Sequence, residues 1–143
     1  MAYSTEAQVE SELKGTTFES SGTTISSTEI GEFIDISDEM IDSYIANRYT
    51  VPVSASATKA AEVLRHLSVA LTKAKVMDIL EFNQTGGTSE KATQLRSDAI
   101  TMLEKISRGE VLLSDAGSAL PVSSSYNYEQ EIDPTFEVGS DQW

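Results

Sequence analysis

The 143-residue chain is long enough to form one domain that buries roughly two thirds of its unfolded surface around a single core. It contains no cysteine, which excludes disulfides and thiolate metal sites, and its net charge of −13 argues against a protein that reads nucleic acid through a basic face. No apolar run approaches the roughly 20 residues that span a bilayer, and the N-terminus lacks the pattern of a secretion signal, so we expect a soluble protein without membrane contact.

The charge is unevenly distributed along the chain. Residues 1–42 carry a net charge of −9, residues 43–108 carry +3, and residues 109–143 carry −7 without a single basic residue. Two acidic ends around a mildly basic middle favour electrostatic attachment to other copies of the chain or to another protein.

Two helix starts of the same form occur in the first thirty residues. Thr5 with Gln8, and Ser26 with Glu29, have the spacing of a capping box. The first predicts a short helix that Gly15 can end. Between the two starts, turn-forming and strand-forming residues at 16–25 predict a loop with room for one short strand.

The second helix is predicted to carry a broad apolar face and a separate acidic stripe. The apolar face comprises Ile30, Phe33, Ile34, Ile41, Tyr44 and Ile45. The acidic stripe comprises Glu32, Asp35, Glu39 and Asp42. We favour a solvated surface over a divalent-cation site for this stripe, because ligands on one straight helix cannot surround an ion.

A corner is predicted where this helix runs into an extended turn. Pro52 lacks a backbone donor and biases the preceding residue away from helical angles, so the helix is predicted to stop near Tyr49 or Thr50. Tyr44, Arg48, Tyr49 and Pro52 are interpreted as packing and interface residues of this corner rather than catalytic ones.

Two further helices are predicted after the corner. Apolar residues at spacings of three and four from about residue 58 to 82 predict a helix roughly 37 Å long. Glycines at 86–87 break it, and a further helix is predicted at about 89–108, where Gly109 provides the stop. The short apolar run 111–113 is expected to pack back onto the helices.

From residue 114 onward the chain is rich in Ser, Gly, Pro and acidic residues. We therefore predict a mainly α fold, with a small bundle of about four helices over residues 1–113 and a long extended acidic C-terminal arm over residues 114–143. Extended, the arm could reach on the order of 100 Å. Its aromatic residues are candidate anchors for a partner protein: Tyr126, Tyr128, Phe136 and Trp143.

The sequence gives no indication of an enzyme. His66 is the only histidine, lies inside the predicted long helix, and has no recognisable nucleophile or orienting acid, so we favour a surface or interface role for it. The glycine pair at 86–87 lacks the residues of a phosphate loop, and no Gly-x-Ser-x-Gly elbow is present. We predict no catalytic residue, no cofactor and no metal.

Three segments carry a family resemblance. They are the helix end Glu39–Tyr49 with the Thr-Val-Pro-Val turn after it, the helix segment Val63–Leu71, and the segment Ala99–Leu113, in which a basic residue and a glycine precede a short apolar run. In this order and spacing they resemble the small head–tail connector proteins of tailed bacteriophages (adaptor or head-completion proteins), closest to the Mu-like family. The resemblance covers about residues 26–113.

The resemblance implies a structural adaptor. Such proteins assemble as a closed ring, usually of about twelve copies, beneath the portal of a DNA-filled capsid, with a different face of each subunit meeting its neighbour. They extend the DNA channel without sequence-specific binding and dock the next connector or a tail-completion protein. The chain would be made in the bacterial cytoplasm and reside at the head–tail junction of the virion. The acidic stripe would face the channel or a neighbouring subunit, and the arm would contact the portal or the adjacent subunit.

Three alternatives remain open. Within the same class, the chain could be a neighbouring stopper or tail-completion ring protein. From another class, it could be a small acidic regulatory module that binds one host protein through the aromatic arm. A helical metal-dependent hydrolase that uses the carboxylate stripe is a remote third.

Overall fold

Four helices make up the regular structure of the part of the chain that the structure describes. The computed structural model describes residues 2–13 and 25–118, apart from the side chains of residues 84 and 85. Within these ranges the helices are α1 (Glu6–Glu12), α2 (Ser27–Ile45), α3 (Thr58–Thr85) and α4 (Glu90–Arg108). The predicted mainly α bundle of about four helices is confirmed, and most of the predicted arm, residues 119–143, lies outside the described residues.

Capping boxes start α1 and α2, as predicted. The Thr5 N–H donates to Gln8 Oε1 at 3.0 Å, and the Ser26 N–H donates to Glu29 Oε2 at 2.7 Å. These bonds satisfy backbone donors that the first turn of a helix leaves free. α1 ends at Glu12, whereas the predicted stop at Gly15 and most of the predicted 16–25 loop lie outside the described residues.

The second helix ends earlier than its sequence predicts. The N–H groups of Arg48 and Tyr49 both donate to the Ile45 carbonyl at 2.9 Å, which closes a turn after α2. Tyr49 then forms an antiparallel bridge with Ser118, and its hydroxyl accepts the Leu113 N–H at 3.0 Å. A residue that pairs with an extended segment leaves the helical backbone conformation, so α2 does not continue through Tyr49 as predicted.

The longest helix, α3, packs against the other three. It continues three residues beyond its predicted end and stops at Gly86, with φ 69°, while α4 stops at Gly109, with φ 79°. These left-handed conformations explain why glycine occupies both positions. No helix in the described part of the chain combines the length and apolarity that a membrane crossing requires.

A distant carboxylate caps the start of α3. The residue before this helix is Ala57, which offers no side-chain acceptor. Asp115 accepts the N–H groups of Lys59 and Ala60 instead, each at 2.8 Å, and the Lys59 bond chiefly lowers the pKa of the Asp115 carboxyl. Because Ser118 pairs with Tyr49 as well, residues 114–118 of the predicted arm lie against the helices.

The buried apolar residues form two clusters rather than one. The first joins α3 and α4 to the second half of α2, and includes Ile41, Leu64 and Leu103. The second joins α1 and the second half of α3 to the first half of α2, and its buried members are Val9, Ile25, Ile30, Ile34 and Val76. Four buried polar residues form hydrogen bonds across the interface between α2 and α3: Ser37, Asp38, Ser68 and Thr72. We call this group the polar seam.

We expect Gly109→Ala to destabilise the protein more than Gly86→Ala. A left-handed conformation costs a residue with a Cβ about 1–2 kcal/mol at either position. Only at Gly109 would the new Cβ also displace the Arg48 guanidinium, since nothing lies within 4 Å at Gly86. The guanidinium is the end of a flexible side chain, so we expect the additional loss to be modest. Urea denaturation measures both losses. In an Arg48→Ala background, the free energy of unfolding lost through Gly109→Ala should approach the loss from Gly86→Ala. Equal losses from the two glycine replacements in the wild-type background would contradict the predicted contact with Arg48.

Candidate interaction surface

The acidic side of α2 is the candidate interaction surface. Asp35, Asp38, Glu39 and Asp42 line a shallow depression there, which we call the acidic face. The structure therefore brings together three residues of the predicted stripe and adds Asp38. The fourth predicted residue, Glu32, is exposed and does not line the depression.

Asp38 differs from its neighbours because its side chain points into the protein. It is 6% exposed. One carboxylate oxygen accepts the Tyr3 N–H at 2.7 Å, and the other accepts the Ser68 hydroxyl at 2.6 Å. Ser68 in turn lies 2.7 Å from the hydroxyl oxygen of Ser4. Hydrogen bonds centred on this buried carboxylate therefore connect the N-terminal residues Tyr3 and Ser4 to α2 and α3.

Tyr3 extends the same network to the corner after α2. Its hydroxyl donates to Asp42 and accepts the Val53 N–H at 2.9 Å. Burial, and then the hydrogen bond to Asp42, raise the pKa of Tyr3 far above its ordinary value. The phenol therefore remains a hydrogen-bond donor throughout the physiological pH range.

Burial also raises the pKa of the Asp38 carboxyl. The negative charges of Asp42 and Asp35 act in the same direction, whereas the bonds from Ser68 and the Tyr3 N–H lower the pKa and oppose the shift. Asp38 is thus a carboxylate without an ion-pair partner in the described part of the chain, held by neutral donors alone.

The outward part of the acidic face is chemically simple. Asp35 and Glu39 are exposed, and Asp42 is engaged by Tyr3. Within residues 2–13 and 25–118, no group of three or more potential ligands is placed to hold a metal ion. His66 lies on the surface, with Nε2 at 3.2 Å from a Glu62 carboxylate oxygen. The acidic face can repel phosphates or attract a basic protein surface.

The predicted corner residues occupy one region at the end of α2. Tyr49 is buried, and Tyr44 packs partly buried against the first cluster. The Arg48 guanidinium lies over Gly109 at the end of α4. Pro52 is exposed and follows a cis peptide bond from Val51. The corner therefore joins the C-terminal ends of α2 and α4.

The predicted arm anchors lie outside the described residues: Tyr126, Tyr128, Phe136 and Trp143. The structure therefore gives no position for these four side chains.

Sequence reasoning missed three residues that hold this region together: Tyr3, Asp38 and Asp115. For Asp38 a signal existed, because the three-and-four spacing of the apolar face passes through positions 37 and 38. A polar pair on a stripe that is otherwise buried indicates a buried hydrogen-bonded site. Tyr3 and Asp115 gave no local signal, since their partners lie 35 to 56 residues away.

Comparison with protein families gives a match. A family model described as Bacteriophage Mu, Gp36 matches residues 5–130, a range that contains all four helices, the acidic face and the corner. No curated protein and no solved structure matches the chain.

We expect Asp38→Asn to change how stability depends on pH. The folded-state pKa of Asp38 is raised above the unfolded value of about 3.9, so the folded protein holds this proton more tightly. The contribution of Asp38 to the free energy of unfolding is therefore greatest at low pH and falls as pH rises through the folded-state pKa. Asparagine does not titrate.

Urea denaturation between about pH 4 and pH 7 tests this expectation. The free energy of unfolding of the wild type, minus that of Asp38→Asn, should decrease as pH rises. Glu39→Gln removes the same charge from an exposed neighbour and controls for net charge. If the wild-type and Asp38→Asn curves stay parallel, the buried carboxylate is not the source of the pH dependence.

Proposed function

The chain belongs to the bacteriophage Mu Gp36 family, and from this we propose that it is a head–tail connector that forms a ring beneath the portal. Membership of this family indicates a phage protein with a role in virion structure or morphogenesis. The observation that carries the finer proposal is a family match that spans all four helices, together with an acidic face on α2. We place the ring at the head–tail junction of the virion, with synthesis in the bacterial cytoplasm.

The acidic face supports a role as the wall of a DNA channel. Asp35 and Glu39 project into solvent from one side of α2 without an ion-pair partner in the described part of the chain. A protein that binds DNA needs basic residues to replace phosphate counterions. An acidic wall does the opposite, because it repels phosphates and lets a duplex slide past. We therefore propose that the acidic face lines the channel.

Charge segregation supports the ring. The segment 1–42 carries −9, whereas 43–108, which contains α3 and α4, carries +3. In a closed ring each subunit uses two different faces, and opposite charges on them favour head-to-tail contact between copies over contact between like faces. The ring would rest on the portal and dock the next connector or a tail-completion protein.

Assembly on purified portal protein tests the proposal directly. Light scattering after size-exclusion chromatography should show a complex whose added mass corresponds to a ring, about twelve copies. A chain that stays monomeric in the presence of portal would contradict the adaptor proposal. Binding to an assembled portal–connector complex but not to portal alone would indicate the stopper or tail-completion alternative.

The channel assignment has its own test, in which Asp35 and Glu39 are both replaced by lysine. Both residues are exposed, so the fold and the ring should persist, whereas the new positive charges should hold phosphates and reduce DNA delivery at least tenfold. Phage titre measures delivery, and circular dichroism checks the helices. Asp42 is left unchanged because it accepts the Tyr3 hydroxyl bond.

Glu90→Lys and Asp98→Lys together are the control, since they make the same change of charge at two exposed positions of α4, away from the acidic face. If the Asp35 and Glu39 replacements leave the phage titre unchanged, the acidic face is a solvent-exposed surface without a role in DNA delivery. Loss of the ring would instead assign the face to a contact between subunits.

A further inference from the structure

An apolar groove of about 280 Å³ lies between α2, α3 and α4. Its lining comprises Phe33, Ile36, Ser37, Met40, Leu71, Lys75 and Arg96. Ile36 is 58% exposed, so its apolar side chain is accessible at the edge of the groove. The groove is separate from the acidic face, which occupies another side of α2.

The groove exists because α2 changes its packing partner along its length. From Ile41 onward, its apolar residues pack in the first cluster with α4 residues such as Leu103. Before Ser37, its residues Ile30 and Ile34 pack in the second cluster, to which α4 contributes no described residue. Between these two regions, no described element covers the outer apolar side of α2.

The size and lining of the groove favour a protein side chain as its occupant. Its volume lies just below the roughly 300–1,000 Å³ of small-molecule sites, and few polar groups converge in it. The Lys75 ammonium lies 6.0 Å from the centre of the Phe33 ring and makes no ion pair with any described residue. Arg96 already bonds Asp78 at 2.8 Å. The matching occupant combines an aromatic or aliphatic anchor with a carboxylate for Lys75.

One segment of this chain has that chemistry. Residues 119–143 contain five acidic residues, four aromatic residues and no basic residue. Two of the aromatic residues, Tyr128 and Phe136, are each followed directly by glutamate. The other stretch outside the described residues, 14–24, holds one lysine, one glutamate and a single aromatic residue, so it offers no net charge to the groove.

We propose that the segment 119–143 of one copy docks in the groove of a neighbouring copy. This inference rests on the proposed ring, in which a segment on one subunit and a groove on the next give a head-to-tail contact. Ser118 pairs with Tyr49 beyond the end of α2, and Ile36 lies about 14 Å along the helix before Ile45. The segment 119–143 has 25 residues and can span more than this distance even when it is not fully extended. The segment can therefore reach its own groove too, and the test must separate the two cases.

Cysteine cross-linking distinguishes docking between copies from docking within one copy, because the natural chain contains no cysteine that would form other disulfides. Ile36→Cys and Thr135→Cys are made in separate chains, mixed with purified portal protein and oxidised. A segment docked across subunits gives covalent dimers on a non-reducing gel. Leu112→Cys replaces Ile36→Cys in the control, because Leu112 is 65% exposed but does not line the groove. We expect at least tenfold more dimer with Ile36→Cys.

A charge reversal tests the role of Lys75. In the Ile36→Cys chain, Lys75→Glu should lower the dimer yield about tenfold, because a glutamate there repels the acidic segment. Lys91→Glu makes the same change at an exposed position of α4 that does not line the groove, and should leave the yield unchanged. Equal yields from both variants would overturn the ionic part of the inference.

The same mixtures separate failure of this inference from failure of the proposed function. If the ring forms on portal but Ile36→Cys gives no more dimer than Leu112→Cys, the inference is overturned and the adaptor proposal stands. Dimers without a portal-bound ring would support the inference and contradict the adaptor proposal. A chain that carries both cysteines and cross-links only within itself shows docking in its own groove, which overturns the contact between copies.

Discussion

The buried carboxylate of Asp38 determines how the described segments fit together. A charged group taken out of water is costly unless hydrogen bonds replace its hydration. Its two oxygens are satisfied by donors from the N-terminal segment and from α3, at Tyr3 and Ser68. A shift of α2 by one residue along α3 would leave the charge buried without these donors. The polar seam therefore fixes the register of α2, whereas apolar packing alone tolerates several arrangements.

The seam also explains why the core has two parts. Ser37 and Thr72 share a hydrogen bond of 3.1 Å beside the Asp38 network, so a polar row crosses the interface between α2 and α3. On one side of this row α2 packs with α4, and on the other it packs with α1. Where the packing partner changes, the apolar residues of α2 that line the groove are not covered within the described structure. Another side of α2 carries the acidic face. A single helix thus presents two chemically different surfaces.

Local sequence signals predicted the helices well and the contacts between them poorly. The capping boxes at Thr5 and Ser26 start α1 and α2 because every atom in those bonds lies within four residues. The end of α2 was predicted too late, and Tyr49 contacts Leu113 and Ser118, more than sixty residues away, instead of continuing the helix. Asp115 caps α3 from a comparable distance. The acidic stripe followed from helical spacing, but the inward turn of its neighbour Asp38 depends on donors that only folding brings near.

The central claim is that this chain forms a ring between the portal and the rest of the tail. Electron microscopy of the purified phage particle, with an antibody fragment bound to a tag on the chain, tests it most directly. The account predicts a closed ring of fragments directly below the portal, with the acidic face of α2 toward the central channel. Label elsewhere on the particle, or absence of the chain from it, would contradict the account.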